Sequence, residues 1–227
     1  MKIIIEPHNH AWVYEFNLVK QDLQNLFKKV PIQSIQHVGS TSIPGLLAKP
    51  ILDIDVVVTP ENLCGASAAL VKGGYTALGD QGVPSRYAFR QPRIRETCRE
   101  YRSNDTRVEM KRNTYVVLDG SIALRNHLDL KRMLLENEVL RNEYGEVKRK
   151  LVNDGVMNMA EYCRGKNEVI LKILKLSGWN EQDLKEVLRA NSWWWAAWRI
   201  GARLVSENIE LLFKIFGPKH GGGKCKD

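Results

Sequence analysis

The run from His37 to Asp55, HVGSTSIPGLLAKPILDID, restricts what this chain can fold into more than any other stretch. It joins a Gly-Ser-Thr-Ser turn, a Pro-Gly corner and Lys49 to an apolar strand that carries two alternate carboxylates. Successive side chains on a strand point to opposite faces, so Asp53 and Asp55 are expected on one face, with Ile54 and Val56 on the other. Two adjacent carboxylates repel, and burying them is costly unless a cation compensates. Mg²⁺ takes oxygen ligands and often uses only one or two protein carboxylates, completing its shell with substrate phosphates and water. A metal site formed by Asp53 and Asp55 is therefore one expectation. Upstream, Gly39 lets the backbone approach a phosphate closely, and Ser40 adds a hydroxyl. Taken separately, GSTS also reads as an ordinary turn and DID as an exposed strand end.

A Gly-Ser turn followed about a dozen residues later by Asp-hydrophobic-Asp resembles the signature of the nucleotidyltransferase superfamily. The longer string is similar to that of the GrpB (UPF0157) family. Trp12 and Phe16, GVPSRYAFRQP at 82–92, LRNHL at 124–128, YGEVKRKL at 144–151, and Tyr162 with Lys166 extend the likeness over residues 1–176. The resemblance implies an α+β fold: a nucleotidyltransferase-like mixed β-sheet flanked by helices, helical from about residue 121; outside it, residues 177–227 read as a C-terminal helical extension with a disordered tail. It also implies roles in substrate binding for Gly39, Thr41, Ser42, Lys49, Arg86, Arg90, Arg125, Tyr162 and Lys166. Ser40, Asp53, Asp55 and, as a third carboxylate on an adjoining strand, Glu109 are its catalytic candidates. One departure is clear, since family sequences carry a histidine-rich run where this chain has Arg112-Asn113-Thr114-Tyr115.

The rest of the chain reads as alternating elements. Residues 2–5 form a short strand candidate, and Trp12, Phe16, Val19, Leu23 and Phe27 recur at helical spacing. The segment SIQHV leads as a strand into the GSTS turn, where His37 reads as a structural residue. A helix capped by Thr59 is expected from Pro60 to about Lys72, ended by Gly73-Gly74. Strands are expected at 75–79, 86–91 and 107–118, with the arginine-rich segment 93–107 as a loop. Three helices then span about 123–136, 137–153 and 159–176, the first capped near Ser121. Arg86 and Arg90, four apart, share one strand face, and their planar donors suit phosphate or carboxylate.

The net charge of +8 favours an anionic partner, either nucleic acid or a membrane surface, although excess Lys and Arg also reads as a solvated face. Cys64, Cys98, Cys163 and Cys225 are widely spaced, which suits reduced thiols, and MKIIIEPHNH turns polar at once. A cytoplasmic protein is expected. The C-terminal SWWWAAWRIGARLVSENIELLFKIFG is too charged for a transmembrane span and reads as an interaction helix, with homodimerisation one use.

Three functions follow. Some fungal GrpB-like proteins resemble arginine-containing cyclodipeptide synthases, which consume aminoacyl-tRNAs. In such a transferase Asp53 and Asp55 would recognise an arginyl guanidinium or shuttle a proton, and Ser40, Thr41 and Ser42 would hold the ester carbonyl or terminal adenosine. A serine of GSTS could also accept the acyl group, but no histidine base sits at an interpretable spacing. The alternatives are a Mg²⁺-dependent nucleotidyltransferase acting on a small molecule or RNA, and a non-catalytic polyanion-binding module.

Overall fold

In the computed structural model, which describes residues 3–92 and 110–201 with α7 side chains as far as Asn191, five strands form one mixed sheet flanked by helices. The α+β expectation holds. The elements are α1 (Ala11–Leu26), β1 (Ser34–Val38), β2 (Leu52–Val58), α2 (Leu63–Lys72), β3 (Thr76–Gly79), β4 (Arg86–Arg90), β5 (Arg112–Leu118), α3 (Ile122–Glu136), α4 (Glu138–Asn153), α5 (Met159–Arg164), α6 (Asn167–Leu176) and α7 (Glu181–Gly201). Glu109, the segment 93–107, Cys98, Cys225 and the chain beyond 201 lie outside the described residues.

The strand order is β1-β2-β5-β4-β3, and every pairing is antiparallel except β2 with β5. That parallel pair occupies the middle, and its register sets Asp53 opposite Asn113 and Asp55 opposite Tyr115. One face of β2 presents Leu52, Ile54, Val56 and Val58 to a core shared with Trp12, Phe16, Val19 and Leu23 of α1 and Leu70 of α2. Each fully buried aliphatic side chain there contributes about 1.5–3 kcal/mol relative to exposure. The other face of β2 carries Asp53, Asp55 and Val57, the last packed with Ala123 and Leu124 of α3. The same-face expectation for the two aspartates is met.

A separate apolar cluster joins the GSTS segment to the helical layer. Ile43 and Leu46 pack with Leu134, Leu140, Tyr144, Val169 and Ile173. This holds the turn over α4 and α6. Past residue 176 the chain continues on the same body, because Trp179, Leu184 and Val187 bury against Leu174. Trp179 Nε1 donates to Asp129 Oδ2 at 2.7 Å, and Arg125 pairs with Asp183 at 2.9 Å.

Several local expectations change. The strand expected at 2–5 is absent from its described part, residues 3–5, and the next residue, Glu6, makes a single bridge with Ala48. Pro60–Asn62 is a 3-10 turn preceding α2, and Thr59 accepts from the Asn62 side chain instead of capping backbone N–H groups. The helix expected over 159–176 is broken at Gly165-Lys166 into α5 and α6. A Cβ on Gly165 would stand 2.4 Å from Leu151 Cδ2, so a larger residue there would make the Leu151 side chain move where the two helices close on α4. Ser121 caps α3 as expected, accepting from Leu124 N at 3.2 Å. No helix among the described residues is long and apolar enough to cross a membrane.

Candidate functional site

The GSTS turn begins at Gly39, whose φ of 68° lies in the left-handed region that favours glycine. Glycine is required there twice over, because a Cβ would come within 2.3 Å of Asp53 Oδ2. The turn therefore lies directly on the first aspartate. Ser42 turns its hydroxyl back to Gly39 O at 2.7 Å. Thr41 is buried, with Oγ1 3.0 Å from His37 Nε2 and 3.4 Å from Ile51 O. Both close the turn, leaving Ser40 as the hydroxyl that faces outward.

Ser40 opens on a cleft of about 440 Å³ between the sheet and the helical layer. Asp53 lies on its floor, Arg86, Arg90, Arg112 and Asn113 come from the sheet, Lys148 comes from α4, and Lys49, Tyr162 and Lys166 close it. Six basic side chains (Lys49, Lys148, Lys166, Arg86, Arg90 and Arg112) therefore line it against one carboxylate. Lys49 Nζ sits 5.4 Å and Lys166 Nζ 4.8 Å from the centre of the Tyr162 ring. Burial, with Lys166 nearby, pulls the Lys49 ammonium below its ordinary range.

Lys148 is the least expected member. It is 2% exposed, stands 4.5 Å from the centre of the Tyr144 ring, and donates to Leu47 O and, at 3.1 Å, to Ser40 Oγ. Burial, reinforced by Lys166 and Lys49, pushes it down to about 6. Its signal was present in the sequence, because Leu140, Tyr144 and Lys148 recur every fourth residue on the buried face of α4. A lysine continuing an apolar stripe is the clue.

The two aspartates part company. Asp53 accepts from Asn113 Nδ2 at 2.8 Å and faces the cleft. Asp55 is fully buried beneath α3, with Oδ2 2.7 Å from His127 Nδ1 and Oδ1 without a partner. The expectation that both floor one pocket is corrected, because α3 covers the second. His127 instead looks into an adjoining cavity of about 360 Å³, where it meets Arg86, Asn126 and Glu186. Arg86 bridges the two spaces, its guanidinium 4.3 Å above the Tyr115 ring and its Nε buried without a partner.

Among the described residues the cleft offers one carboxylate to the Mg²⁺ that the pair suggested, and Glu109, the third carboxylate expected, lies outside them. The register places Asn113 and Tyr115 opposite the aspartates on β5, and no group of three His, Cys, Asp or Glu is gathered among the described residues. One further expected residue also lies elsewhere. Arg125 pairs with Asp183 and stacks 4.3 Å over Trp179, which puts it between α3 and the chain leading into α7. His37 is stacked on Phe16 at 4.6 Å and pushed down to about 4 by burial, with Lys131 and His8 adding to the effect, as a structural histidine should be.

The UPF0157 protein YqkA of Bacillus subtilis is 27% identical over 170 residues, covering 74% of this chain, and the chain spans 45% of that relative's length. A UPF0157 protein of Streptomyces coelicolor is 31% identical over 147 residues, covering 63% of this chain and 68% of that protein. The crystal structure of conserved protein GrpB from Enterococcus faecalis superposes with a TM-score of 0.61 at 26% identity, over 82% of this chain and 99% of that one. A looser likeness to Cid1 in complex with its short product ApU, of TM-score 0.39 at 15% identity, is too distant to bear on function. Residues 2–176 match the family model described as GrpB protein, and the chain belongs to the GrpB family.

Proposed function

We propose that this protein is a transferase acting on the acyl-bearing 3′ end of aminoacyl-tRNA, joining two aminoacyl groups as a cyclic dipeptide of which arginine is one member. The observation that carries the proposal is the cleft's composition: five cations, the Lys148 amine and a serine face one accessible carboxylate. Phosphates dominate RNA affinity, and clustered Lys and Arg in a cleft meet that need. Acyl transfer from an ester requires no metal, which suits a site whose second aspartate is committed to His127. Asp53, beside Asn113, is then placed to accept a guanidinium or an ammonium of the substrate.

Metal-dependent nucleotidyl transfer is the second reading, favoured by the same cations, which would hold a triphosphate equally well. It lacks a paired carboxylate at the cleft floor. A single assay separates the two. The purified protein is incubated with total tRNA, synthetases, amino acids and ATP, and small molecules are analysed by mass spectrometry. A cyclic arginine dipeptide that vanishes with RNase and with Asp53→Asn is the expected result. Mg²⁺-dependent incorporation of labelled nucleotide would replace the proposal with nucleotidyl transfer. Neither product from folded protein would leave a polyanion-binding module.

A further inference from the structure

Ser40 and Lys148 are far apart in sequence and meet because two different layers of the fold hold them. Ser40 begins the 3-10 turn that Gly39 seats on Asp53, and the same segment is anchored from below by Ile43 and Leu46. Lys148 reaches it from the buried stripe of α4, with its amine 3.1 Å from Ser40 Oγ. A buried lysine ordinarily has a carboxylate partner. Among the described residues Lys148 has none, and its neighbours are Lys49 from the β1–β2 connection, Lys166 at the start of α6, and the ring of Tyr144 on its own helix. The environment favours the neutral amine, whose lone pair can accept the serine proton.

We propose that Ser40 is the nucleophile and Lys148 its general base, and that the reaction passes through an ester of Ser40 with the aminoacyl group. This rests on the acyl-transfer reading above. The Ser40 hydroxyl attacks the ester carbonyl carbon, and its proton passes to the Lys148 amine. As the adduct collapses, the bond from that carbon to the ribose 3′ oxygen breaks, and the leaving oxygen takes the proton from the Lys148 ammonium. Deacylated RNA departs and the aminoacyl group remains on Ser40. The α-amine of a second aminoacyl ester then attacks the Ser40 ester carbonyl, forming the amide. Its proton returns through Lys148 to Ser40 Oγ as that bond breaks. The free α-amine of the first residue then attacks the remaining ester carbonyl, closing the ring as the second RNA leaves with that amine's proton on its 3′ oxygen. Ser–Lys pairs are an established alternative to Ser–His in nucleophilic catalysis.

The pair is tested without RNA by treating the full chain with p-nitrophenyl acetate and locating the acetyl group by peptide mass mapping. A single acetyl group on Ser40 is expected, absent in Ser40→Ala and formed about a hundredfold more slowly in Lys148→Met and Lys148→Arg, the loss of one general base. Lys148→Arg keeps a long hydrogen-bonding side chain but is permanently charged and cannot act as a base, so circular dichroism and tRNA binding by that variant separate lost chemistry from lost folding. The labelling rate of the parent should rise with pH through a midpoint near 6, where Lys148 loses its proton. Acetylation of Lys148 or scattered surface lysines, or a rate indifferent to Lys148, overturns the inference. So does cyclic dipeptide formation by Ser40→Ala at the parent rate, which would leave the proposed function standing. Ser40 acetylation in a protein that makes no tRNA-dependent product has the opposite meaning: the nucleophile stands and the acyl donor is another ester.

Discussion

Asp53 and Asp55, two residues apart on one strand, have been given different tasks by the helix that crosses above them. Removing the charge from Asp53 should abolish product while leaving the urea midpoint nearly unchanged, since it is part-exposed and bonded to one exposed amide. Asp55→Ala should do the reverse and cost about 1.5–3 kcal/mol, because it strips a buried charged hydrogen bond from His127. Equal stability loss in both variants would contradict the division. The titrating residues give a second check. His37 is held near 4 against an ordinary 6.5, so the unfolded chain takes up that proton first as pH falls. Stability should decline from about pH 6.5 to about pH 4, by up to roughly 3 kcal/mol, and His37→Gln should flatten that decline in urea titrations. Lys148, depressed from 10.5 to about 6, is protonated more readily in the unfolded chain throughout that interval, so stability should climb as pH rises above 6. Lys148→Met should lack this climb.

At the scale of elements, the sequence carried its information unevenly. The apolar alternation of β2 and the three- and four-residue spacing in α1 were sufficient to place both, since each buries a regular face. The break between α5 and α6 was hidden because Gly165 sits inside an otherwise helical pattern, and its close approach to Leu151 is a tertiary contact that local spacing does not show. The site was half legible for a related reason. Motif text identified the residues that come from the turn and strands, including Ser40, Asp53, Arg86 and Arg90, but whether α3 would cover Asp55, or α4 bring Lys148 to Ser40, depends on helix packing that local spacing does not encode. The same applies to Arg125, whose partner Asp183 is fifty-eight residues away. That contact and the burial of Trp179 tie α7 to α3. Trp179→Ala should therefore cost about 3–5 kcal/mol, read from the denaturant midpoint, as for other buried tryptophans. A cost within experimental error would show that α7 is not integral to the folded body.

For the molecule as a whole, an excess of eight positive charges gives a long-range attraction for RNA, whereas the cleft's lysines give contacts at short range. The two are separable by salt. Each phosphate neutralised on a single strand contributes about −0.7 to the slope of log K against log salt. Lys49→Ala should make that slope shallower by about this amount in tRNA-binding titrations. Lys172→Ala, which removes a lysine already ion-paired with Glu143 at 2.7 Å, should leave the slope unchanged. Identical slopes for all three proteins would place RNA contact outside the cleft.

The parallel pairing of β2 with β5 also governs when the cleft comes into being. Asp53 and Asn113 are sixty residues apart, so their hydrogen bond waits on the closing of a long loop and the insertion of the β3–β4 hairpin beside β5. Lys148 and Lys166 are synthesised later still. On the ribosome the aspartate emerges well before any lysine from the helical layer can reach the serine, and a nascent chain that has released β5 but not α4 would have the sheet strands but no reactive pair. Assembly of the reactive pair is thus a late, long-range event, and competence for reaction should report completion of folding more faithfully than secondary structure does.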